Sequence, residues 1–516
     1  MLAYYRNEEF KTTALRPYKS PDERYTCLFE GALCNKLELR QRLEKTGIYF
    51  FTDRTEEIIL ELYRFCGDSF AEELRGKFAV IIFDNEPRQL IVARDRYGVR
   101  SLYYKWGGNG ISVATEFAYF KPRVGGMLAE LNKDLLRHYF SYGYIPEDDT
   151  YLKNVQHIPA GCLLKYDDIG GLAVTPFTDM LVIEGSNQQL VDEQLLYDVV
   201  TEGIHVRLPT DRTVGVFYTG KAEELVLAAT AKQAGFEVKM FSAEFCTKRM
   251  FSEYEDCLIR RSVNADDYWH AAVAATRVMD VPLADPTAPV DYLLSELAGK
   301  YVDIILSADG ADVMFGVDGK GSVGFKKRDN SLIFTEDEKE QLLKFEGELW
   351  NEINDPYLVQ ISDLDRILRW QTLELNTRLK GSTVLKKERL TAHYDLETSF
   401  PFLDDKILNV ASFLKNNEKK SMSLFKQVFA DQILKFQISK NKSANKIPLA
   451  TWIRTDLYEN IKGIFEQDVA QEFFNVEMLL EMLEQHRKGL RDLSSRIWAV
   501  TMFIVWLKGI NSVGTI

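Results

Sequence analysis

One turn shortly before the middle of the sequence combines residue types that can hold phosphate. The apolar run at 213–218 is typical of a buried strand, residues 223–234 have helical periodicity, and a turn containing Gly220 and Lys221 joins them. At such a junction the backbone N–H groups of the turn and the positive end of the helix dipole face the same point, where an anion can bind. This turn is therefore the first candidate for chemistry in the chain.

Cysteine and histidine, which bind zinc and haem in many proteins, are scattered along the sequence. The six cysteines include no Cys-x-x-Cys pair, and no two of the six histidines stand at the spacing of metal ligands. Cys34 could be a reactive thiol, although a single cysteine more often acts as a small hydrophobic residue. We therefore expect no zinc site, no haem and no disulfide framework.

The first third of the chain has mostly the pattern of β-strands. Helical periodicity interrupts this pattern at 55–66 and again at 134–142. The β-rich runs are separated by polar or glycine-containing turns and lie at 78–83, 89–93, 101–105 and 111–114. Strands on one side and a few helices on the other predict a layered α+β domain over residues 1–180.

A polar segment at 184–189 is a predicted linker, and the pattern of predicted secondary structure changes after it, over residues 190–516. Strands predicted at 213–218, 237–242 and 301–306 alternate with helical segments, and this order is typical of an α/β domain with a parallel sheet. The final third of the chain is almost entirely helical in pattern. The sequence therefore predicts two domains of different class.

Composition excludes several classes of protein. The chain has 516 residues, 46% hydrophobic and 27% charged, as in ordinary globular proteins of two or three domains. Its net charge of −13 argues against a nucleic-acid partner. The N-terminus does not resemble a signal peptide, and no apolar run is long enough to span a membrane. We therefore expect a cytoplasmic protein with no membrane partner.

Several segments resemble signature sequences of the glutamine-dependent asparagine synthetases. The clearest, Leu-Ser-Ala-Asp-Gly-Ala-Asp-Val-Met-Phe-Gly at 306–316, is similar to the family's Leu-Ser-Gly-Asp-Gly-Gly-Asp-Glu-Leu-Phe-Gly. The other matching segments are 93–104, 114–116, 284–297, 388–404 and 447–454. Because the matches keep their order and spacing over nearly the whole chain, the sequence is identified as a member of that family.

The resemblance implies two folds and two activities. Residues 1–180 would form an N-terminal-nucleophile (Ntn) hydrolase-like glutaminase domain, which in the family releases ammonia from glutamine. Residues 190–516 would form an adenine-nucleotide α-hydrolase-like (ATP-pyrophosphatase) synthetase domain with a helical C-terminal part. In the family this domain activates a carboxylate as an acyl-adenylate that ammonia attacks. The β-lactam synthetases and lasso-peptide cyclases are similar in architecture but have no working glutaminase.

The same resemblance predicts that the first domain cannot hydrolyse glutamine and has no catalytic residue. The family uses an N-terminal cysteine whose α-amine acts as the base, whereas this sequence begins Met-Leu and its nearest cysteine is Cys27. Glu30 stands where the family has an asparagine that stabilises an oxyanion, which a carboxylate would repel. Thr55 replaces the aspartate that holds the substrate amine. Residues 94–98, which do match, are predicted to form a buried ion-pair corner.

In the second domain the resemblance implies a nucleotide site that has been altered. Glu223 and Asp312 would hold Mg²⁺. Glu224 replaces a phosphate-binding serine, and its charge would repel a triphosphate by about 1–4 kcal/mol at near-surface dielectric. Met422 stands where the family has a catalytic lysine, for which Lys426 is the candidate substitute. The predicted nucleotide-binding residues are Thr219, Gly220, Lys221, Glu223, Ser242, Asp309 and Gly310.

Three functions are compatible with these observations. We favour a pseudoenzyme, in which ATP and Mg²⁺ binding are weakened or lost and the fold serves as a binding or scaffold partner. The alternative is a divergent ATP- and Mg²⁺-dependent amide ligase or cyclase that uses a relocated lysine. A working asparagine synthetase is disfavoured. The predicted partner is another protein or a small-molecule or peptide substrate, and homo- or hetero-oligomers are compatible with each function.

Overall fold

The computed structural model divides the chain into two compact units. The first contains Met1–Asn132 and Glu147–Met180, and the second contains Lys133–Pro146 and Leu181–Ile516. The residues that the structure describes are 2–6, 9–12, 16–107, 110–121, 130–145, 150–178, 191–208, 213–245, 257–279, 281–316, 332–347, 366–414, 418, 422–436 and 446–512.

Among its described residues, the first unit contains two antiparallel sheets, two α-helices and two short 3-10 helices. One sheet has the strand order β2-β1-β8-β7-β9 and the other has the order β11-β10-β6-β5-β4-β3. The helices are α1 (Lys36–Lys45) and α2 (Thr55–Cys66). The strands are β1 (Leu2–Arg6), β2 (Glu9–Thr12), β3 (Tyr18–Lys19), β4 (Tyr25–Leu33), β5 (Gly76–Asp84), β6 (Gln89–Arg94), β7 (Tyr103–Gly107), β8 (Gly110–Ala114), β9 (Gln156–His157), β10 (Cys162–Asp167) and β11 (Gly171–Pro176).

The side chains of the buried strand β5 point alternately to the two faces of its sheet, and they contribute to two hydrophobic cores. Residues 78, 80 and 82 pack with Leu43 of α1 and Ile58 of α2. Residues 79, 81 and 83 belong to a second core with side chains of the other sheet. Because successive side chains of a strand point to opposite faces, one apolar strand supplies both cores. The predicted layered architecture of the first domain is confirmed.

The second unit is built on a five-stranded sheet whose neighbouring strands are all parallel. The strand order is β14-β13-β12-β15-β16. The order reverses beside the first strand, between β12 and β15, and ligands of such folds bind at the carboxyl ends of the strands at that point. The strands are β12 (Val214–Phe217), β13 (Val238–Glu244), β14 (Leu258–Ser262), β15 (Ile304–Leu306) and β16 (Glu397–Ser399).

Helices flank this sheet and make up the C-terminal part of the second unit. Among the described helices none is long and apolar enough to cross a lipid bilayer. A π-helical segment, Leu379–Val384, precedes α11. The helices are α3 (Lys133–Tyr142), α4 (Glu193–His205), α5 (Ala222–Gln233), α6 (Ala265–Met279), α7 (Ala288–Ala298), α8 (Ala311–Phe315), α9 (Glu336–Leu342), α10 (Arg366–Asn376), α11 (Leu385–Ala392), α12 (Asp405–Phe413), α13 (Ser423–Val428), α14 (Ala430–Phe436), α15 (Leu449–Arg454), α16 (Tyr458–Phe465), α17 (Asp468–Phe473), α18 (Val476–Arg487) and α19 (Ser494–Ser512).

Helix α3 belongs to the second unit, although the sequence pattern places it within residues 1–180. The Tyr139 hydroxyl donates a hydrogen bond of 2.8 Å to the carbonyl oxygen of Ala499 in α19. The Phe140 ring lies 4.9 Å from the Phe503 ring, centroid to centroid. Both side chains are fully buried. Periodicity identifies the helix but carries no information about which core receives its apolar face.

A buried ion pair fixes the start of α12. The Arg207 guanidinium lies 2.9 Å from the Asp404 carboxylate, and the two side chains are only 7% and 0% exposed. Asp404 also accepts a hydrogen bond from the backbone N–H of Lys406, as the residue that caps α12. We expect Asp404→Asn to lower the free energy of unfolding of the second unit by about 3–5 kcal/mol, because it leaves a buried guanidinium uncompensated.

Urea denaturation followed by tryptophan fluorescence would measure this change. The matched control is Glu202→Gln, which breaks the half-exposed ion pair between Glu202 of α4 and Lys406 of α12, whose charged groups are 2.6 Å apart. Exposed pairs contribute about 0–1 kcal/mol, so the control should be nearly neutral. Equal losses in the two variants would contradict the assignment.

Candidate functional site

The predicted phosphate-binding turn lies at the carboxyl end of β12, beside the point where the strand order reverses. It runs from Thr219 to Lys221, and Lys221 is the residue that precedes α5. Gly220 has φ of +100°, a left-handed conformation that favours glycine. The backbone N–H groups at the start of the helix therefore converge on one point, as the sequence predicts.

The carboxylate of Glu224 occupies that point. It accepts hydrogen bonds from the backbone N–H groups of Thr219 (2.8 Å), Gly220 (3.1 Å) and Lys221 (3.0 Å). The Thr219 hydroxyl donates a fourth bond of 2.6 Å to the same carboxylate. Glu224 is only 6% exposed. Sequence reasoning placed this anion beside the bound phosphate, whereas the structure places it on the N–H groups that a phosphate would need.

The two predicted magnesium ligands, Glu223 and Asp312, both interact electrostatically with Lys221. The Lys221 ammonium lies 3.7 Å from the Glu223 carboxylate. Partial desolvation lowers the pKa of this half-exposed lysine, but the charges of Glu223 and Asp312 outweigh that effect and raise it above its usual value. Burial also raises the pKa of Glu223 to about 7, against the opposing charge of Lys221. The charges of Glu223 and Asp312 thus both act on Lys221, whose ammonium partly balances them.

A second turn follows β15 on the same edge of the sheet. The Ser307 hydroxyl donates a hydrogen bond of 2.7 Å to the carboxylate of Asp309. Gly310 has φ of +96°, and a Cβ built there would lie 2.5 Å from the side chain of Leu403. A side chain at position 310 is therefore excluded by both conformation and space. This turn sets the direction of the short helix α8, which carries Asp312.

A cavity of about 460 Å³ opens between these turns, within the second unit. Thr219, Lys221 and Asp309 line it, as does Glu224. Two lysines that sequence reasoning missed, Lys386 and Lys387, also line it. The remaining wall is largely apolar and includes Phe217, Phe245, Val290, Leu294 and Ile447.

Lys386 lines the cavity, is only 4% exposed and is held by two aspartates. Its ammonium lies 2.6 Å from the carboxylate of Asp285 and 3.1 Å from that of Asp291, and it also bonds the hydroxyl of Thr287. Burial lowers the pKa of Lys386, but the two carboxylates more than offset this and raise it above its usual value. Burial raises the pKa of Asp285, yet Lys386 holds it at about 2. Lys386 and Asp285 are therefore both charged at neutral pH.

Lys387 completes this network on the next residue of α11. Its ammonium lies 2.5 Å from the Asp291 carboxylate and 4.8 Å from the centre of the Phe217 ring, which can make a cation–π contact with it. The π-helical segment just before α11 is a feature often found at functional sites. The only sequence signal for the two lysines was their place beside the matched segment 388–404.

The structure brings together most, but not all, of the residues predicted for the site. Ser242 is buried in β13 and does not line the cavity, whereas its neighbour Ala243 does. Lys426, on the short helix α13, does not line it either. Met422 is buried and has φ of +53°. A role for Lys426 in place of the family's lysine stays a prediction.

In the first unit Glu30 also has partners of its own. Its carboxylate lies 3.4 Å from the guanidinium of Arg100 and accepts a hydrogen bond of 2.9 Å from the Thr115 hydroxyl. Burial raises the pKa of Glu30, but these two groups oppose it and the pKa lies below its usual value. The position that the family uses for oxyanion stabilisation therefore carries a charged carboxylate at neutral pH.

The corner at 94–98 is buried as predicted, but its charges mainly bond the backbone. The Asp95 carboxylate accepts from the N–H groups of Phe78, Tyr97, Val99 and Arg100. The Arg94 guanidinium donates to the carbonyl oxygens of residues 98, 100 and 158. The ion-pair corner is therefore better described as two charged side chains that each hold a loop by its backbone groups.

In this structure the backbone N–H groups of the phosphate turn are occupied by a side chain of the chain itself. The N–H groups that would hold pyrophosphate are bonded to Glu224. Within the part of the chain that the structure describes, no group of three or more His, Cys, Asp or Glu side chains could hold a metal ion. Magnesium bound together with a nucleotide usually needs only one or two carboxylates, because phosphate oxygens and water complete its shell. Lys221 already compensates the two carboxylates that would remain for Mg²⁺.

Comparison with known proteins identifies both units. Residues 9–177 match the family model of the glutamine amidotransferase domain, and residues 197–508 match that of asparagine synthase. The chain is 25% identical to asparagine synthetase (glutamine-hydrolyzing) 1 of Bacillus subtilis, over 95% of this chain and 86% of that protein. It is 22% identical to an asparagine synthetase of Triphysaria versicolor, over 77% of this chain and 59% of that one.

A shorter match connects the chain to a protein with a different name. Amidase chry2 of Gibberella zeae is 50% identical over 172 residues, which cover 32% of this chain and 24% of that protein. The asparagine synthase model alone spans more than half of the chain. The first unit accordingly has a glutamine amidotransferase fold, the second an asparagine synthase fold, and the chain belongs to the asparagine synthetase family.

Proposed function

We propose that this chain is a non-adenylating member of its family, which keeps the synthetase fold as a binding or scaffold protein. The observation that carries the proposal is the position of Glu224, whose carboxylate takes three backbone N–H groups of the phosphate turn. A triphosphate would have to displace a buried, four-fold hydrogen-bonded carboxylate and then lie beside it. Charge repulsion at that distance costs about 1–4 kcal/mol, before the lost hydrogen bonds are counted.

The absence of glutamine hydrolysis is the second part of the proposal. An oxyanion is stabilised by hydrogen-bond donors held in a fixed place. At position 30 the chain has a carboxylate whose pKa is lowered by Arg100 and Thr115, so it presents negative charge there. The glutaminase domain would then serve the stability or the interactions of the protein. Its partner would be another protein or a small-molecule or peptide ligand.

Calorimetric titration of the full-length protein with Mg²⁺ and ATP would test the proposal. We expect a dissociation constant weaker than about 1 mM, which shifts the unfolding free energy by at most about 1 kcal/mol at millimolar nucleotide. We also expect neither pyrophosphate release with carboxylic acids nor ammonia release from glutamine. The control is Glu223→Gln, which should respond as the wild type does if no magnesium site exists.

A divergent amide ligase is the second candidate. It is favoured by the closeness of Glu223 and Asp312 around Lys221, since a rotation of the lysine side chain, which is 56% exposed, would uncover two carboxylates. This function requires pyrophosphate release that depends on a carboxylic acid and is lost in both Glu223→Gln and Asp312→Asn. That result would replace the first proposal.

A further inference from the structure

The cavity of the second unit remains open although the phosphate turn beside it is filled. Its volume of about 460 Å³ lies within the range of about 300–1,000 Å³ that is usual for small-molecule sites. It lies at the carboxyl ends of β12, β13 and β15, where this class of sheet binds ligands. A filled turn and an open cavity suggest a ligand other than a nucleoside triphosphate.

The buried charges that line the cavity are already paired. Lys386 and Lys387 are engaged by Asp291, and Lys386 also by Asp285. Glu224 is engaged by the backbone of the turn. A charged ligand would leave water without gaining a counter-charge inside, and that exchange is unfavourable. Lys221 and Lys446 also line the cavity, but both are exposed to solvent, where their charges are screened. The Asp309 carboxylate accepts a hydrogen bond from the Ser307 hydroxyl.

Aromatic and aliphatic side chains form the rest of the wall. Phe217 and Phe245 come from the ends of β12 and β13, and Val290 and Leu294 come from one face of α7. Leu294 is 1% exposed and Val290 is 9% exposed. Flat apolar molecules gain most from such walls, because they bury area on both faces and can stack on the rings.

We propose that this cavity is a binding site for an uncharged, largely aromatic small molecule. The inference rests on the proposed function, because it takes Glu224 to exclude the triphosphate. The network of Lys386, Lys387, Asp285 and Asp291 would then form a polar part of the cavity wall, which offers hydrogen bonds but carries no net charge. The site would make the chain a binding protein for such a compound rather than an enzyme that adenylates it.

Two fluorescent probes that differ chiefly by one charge would test the proposal on the full-length protein. N-phenyl-1-naphthylamine is uncharged, and 8-anilinonaphthalene-1-sulfonate has nearly the same rings with an added sulfonate. We expect the amine to bind at one site per chain, at least tenfold more tightly than the sulfonate. Leu294→Trp fills the cavity and should weaken binding of the amine at least tenfold. Val290→Phe is a milder filling variant.

The matched control is Leu490→Trp, which adds the same ring at a residue that is 69% exposed. It should leave binding within twofold of the wild type. The proposal is overturned if the sulfonate binds as tightly as the amine, if the amine shows no saturable binding, or if neither filling variant that keeps the wild-type circular dichroism weakens it. Competition by Mg²⁺ and ATP would instead overturn the proposed function while leaving an apolar site in place.

Discussion

Replacing Glu224 by serine is expected to give the protein a measurable affinity for inorganic pyrophosphate that the wild type lacks. The substitution frees the backbone N–H groups of Thr219, Gly220 and Lys221, which the wild-type carboxylate occupies. It also removes a buried anion whose repulsion amounts to about 1–4 kcal/mol. Each 1.4 kcal/mol is a factor of about ten in affinity, so loss of this repulsion alone should raise the affinity by roughly fivefold to several hundredfold.

Calorimetric titration with pyrophosphate, with and without Mg²⁺, would measure the gain. Glu224→Gln is the matched control, because it keeps the size of the side chain and one carbonyl acceptor but removes the charge. It should raise the affinity less than serine does, since its amide still fills the turn. If the serine variant folds and binds pyrophosphate no better than the wild type, then Glu224 is not what closes this turn.

The serine variant should also be less stable. Glu224 and the residue before α5 form a capping arrangement, in which the Glu224 side chain bonds the backbone N–H of Lys221. Loss of a capping side chain costs about 0.5–2 kcal/mol of helix or protein stability. Gain of ligand binding with loss of stability is the expected signature of a side chain that acts as an internal ligand.

A fragment of residues 190–516, which lacks α3, is expected to aggregate when it is expressed alone. The reason is α3, which lies outside that range in sequence but inside the second unit in structure. Without it, the side chains that surround Phe140, among them Phe474 and Phe503, would face water. Exposed apolar surface of this kind promotes association between chains.

Single substitutions in the full-length chain would test the same point. Phe140→Ala should lower the unfolding free energy by about 3–5 kcal/mol, as for other buried phenylalanines. Tyr139→Phe removes only the hydrogen bond to Ala499 and should cost about 1 kcal/mol. Leu490→Ala, at an exposed position, should change stability by less than about 0.5 kcal/mol. A soluble, cooperatively folding 190–516 fragment would show that α3 is dispensable.

Local patterns predict the elements of this fold well. The helix expected at 55–66 has those bounds in the structure, and the strand expected at 213–218 is present as Val214–Phe217. Both rest on short-range regularities: apolar residues repeated at helical spacing, and a short apolar run before a glycine. The parallel sheet follows because strands and helices alternate along the chain.

Long-range placement is what the sequence does not predict. Lys386 and Lys387 reach the cavity from a helix more than 150 residues after the phosphate turn, and no local pattern links the two segments. The orientation of Glu224 depends on whether a carboxylate finds its donors in the protein or in a ligand. Whether the Glu224 carboxylate bonds the backbone of the turn depends on the hydrogen-bond geometry there, and this geometry cannot be read from composition or from the spacing of residues.

The interrupted order of the two units bears on how the chain folds while it is being made. Leu131 and Leu152 form a β-bridge in the first unit. The chain therefore leaves the first unit just after Leu131, contributes α3 to the second unit, and returns to pair beside the residue from which it left. Its partners on α19 are synthesised roughly 360 residues later, which at about 5–20 residues per second is a delay of roughly 20–70 s. The first unit can close during that interval, but the apolar face of α3 stays without its partners until the last helix emerges. The newborn chain thus carries a ready binding face for chaperones, and slower translation of the C-terminal third should lower the yield of native protein.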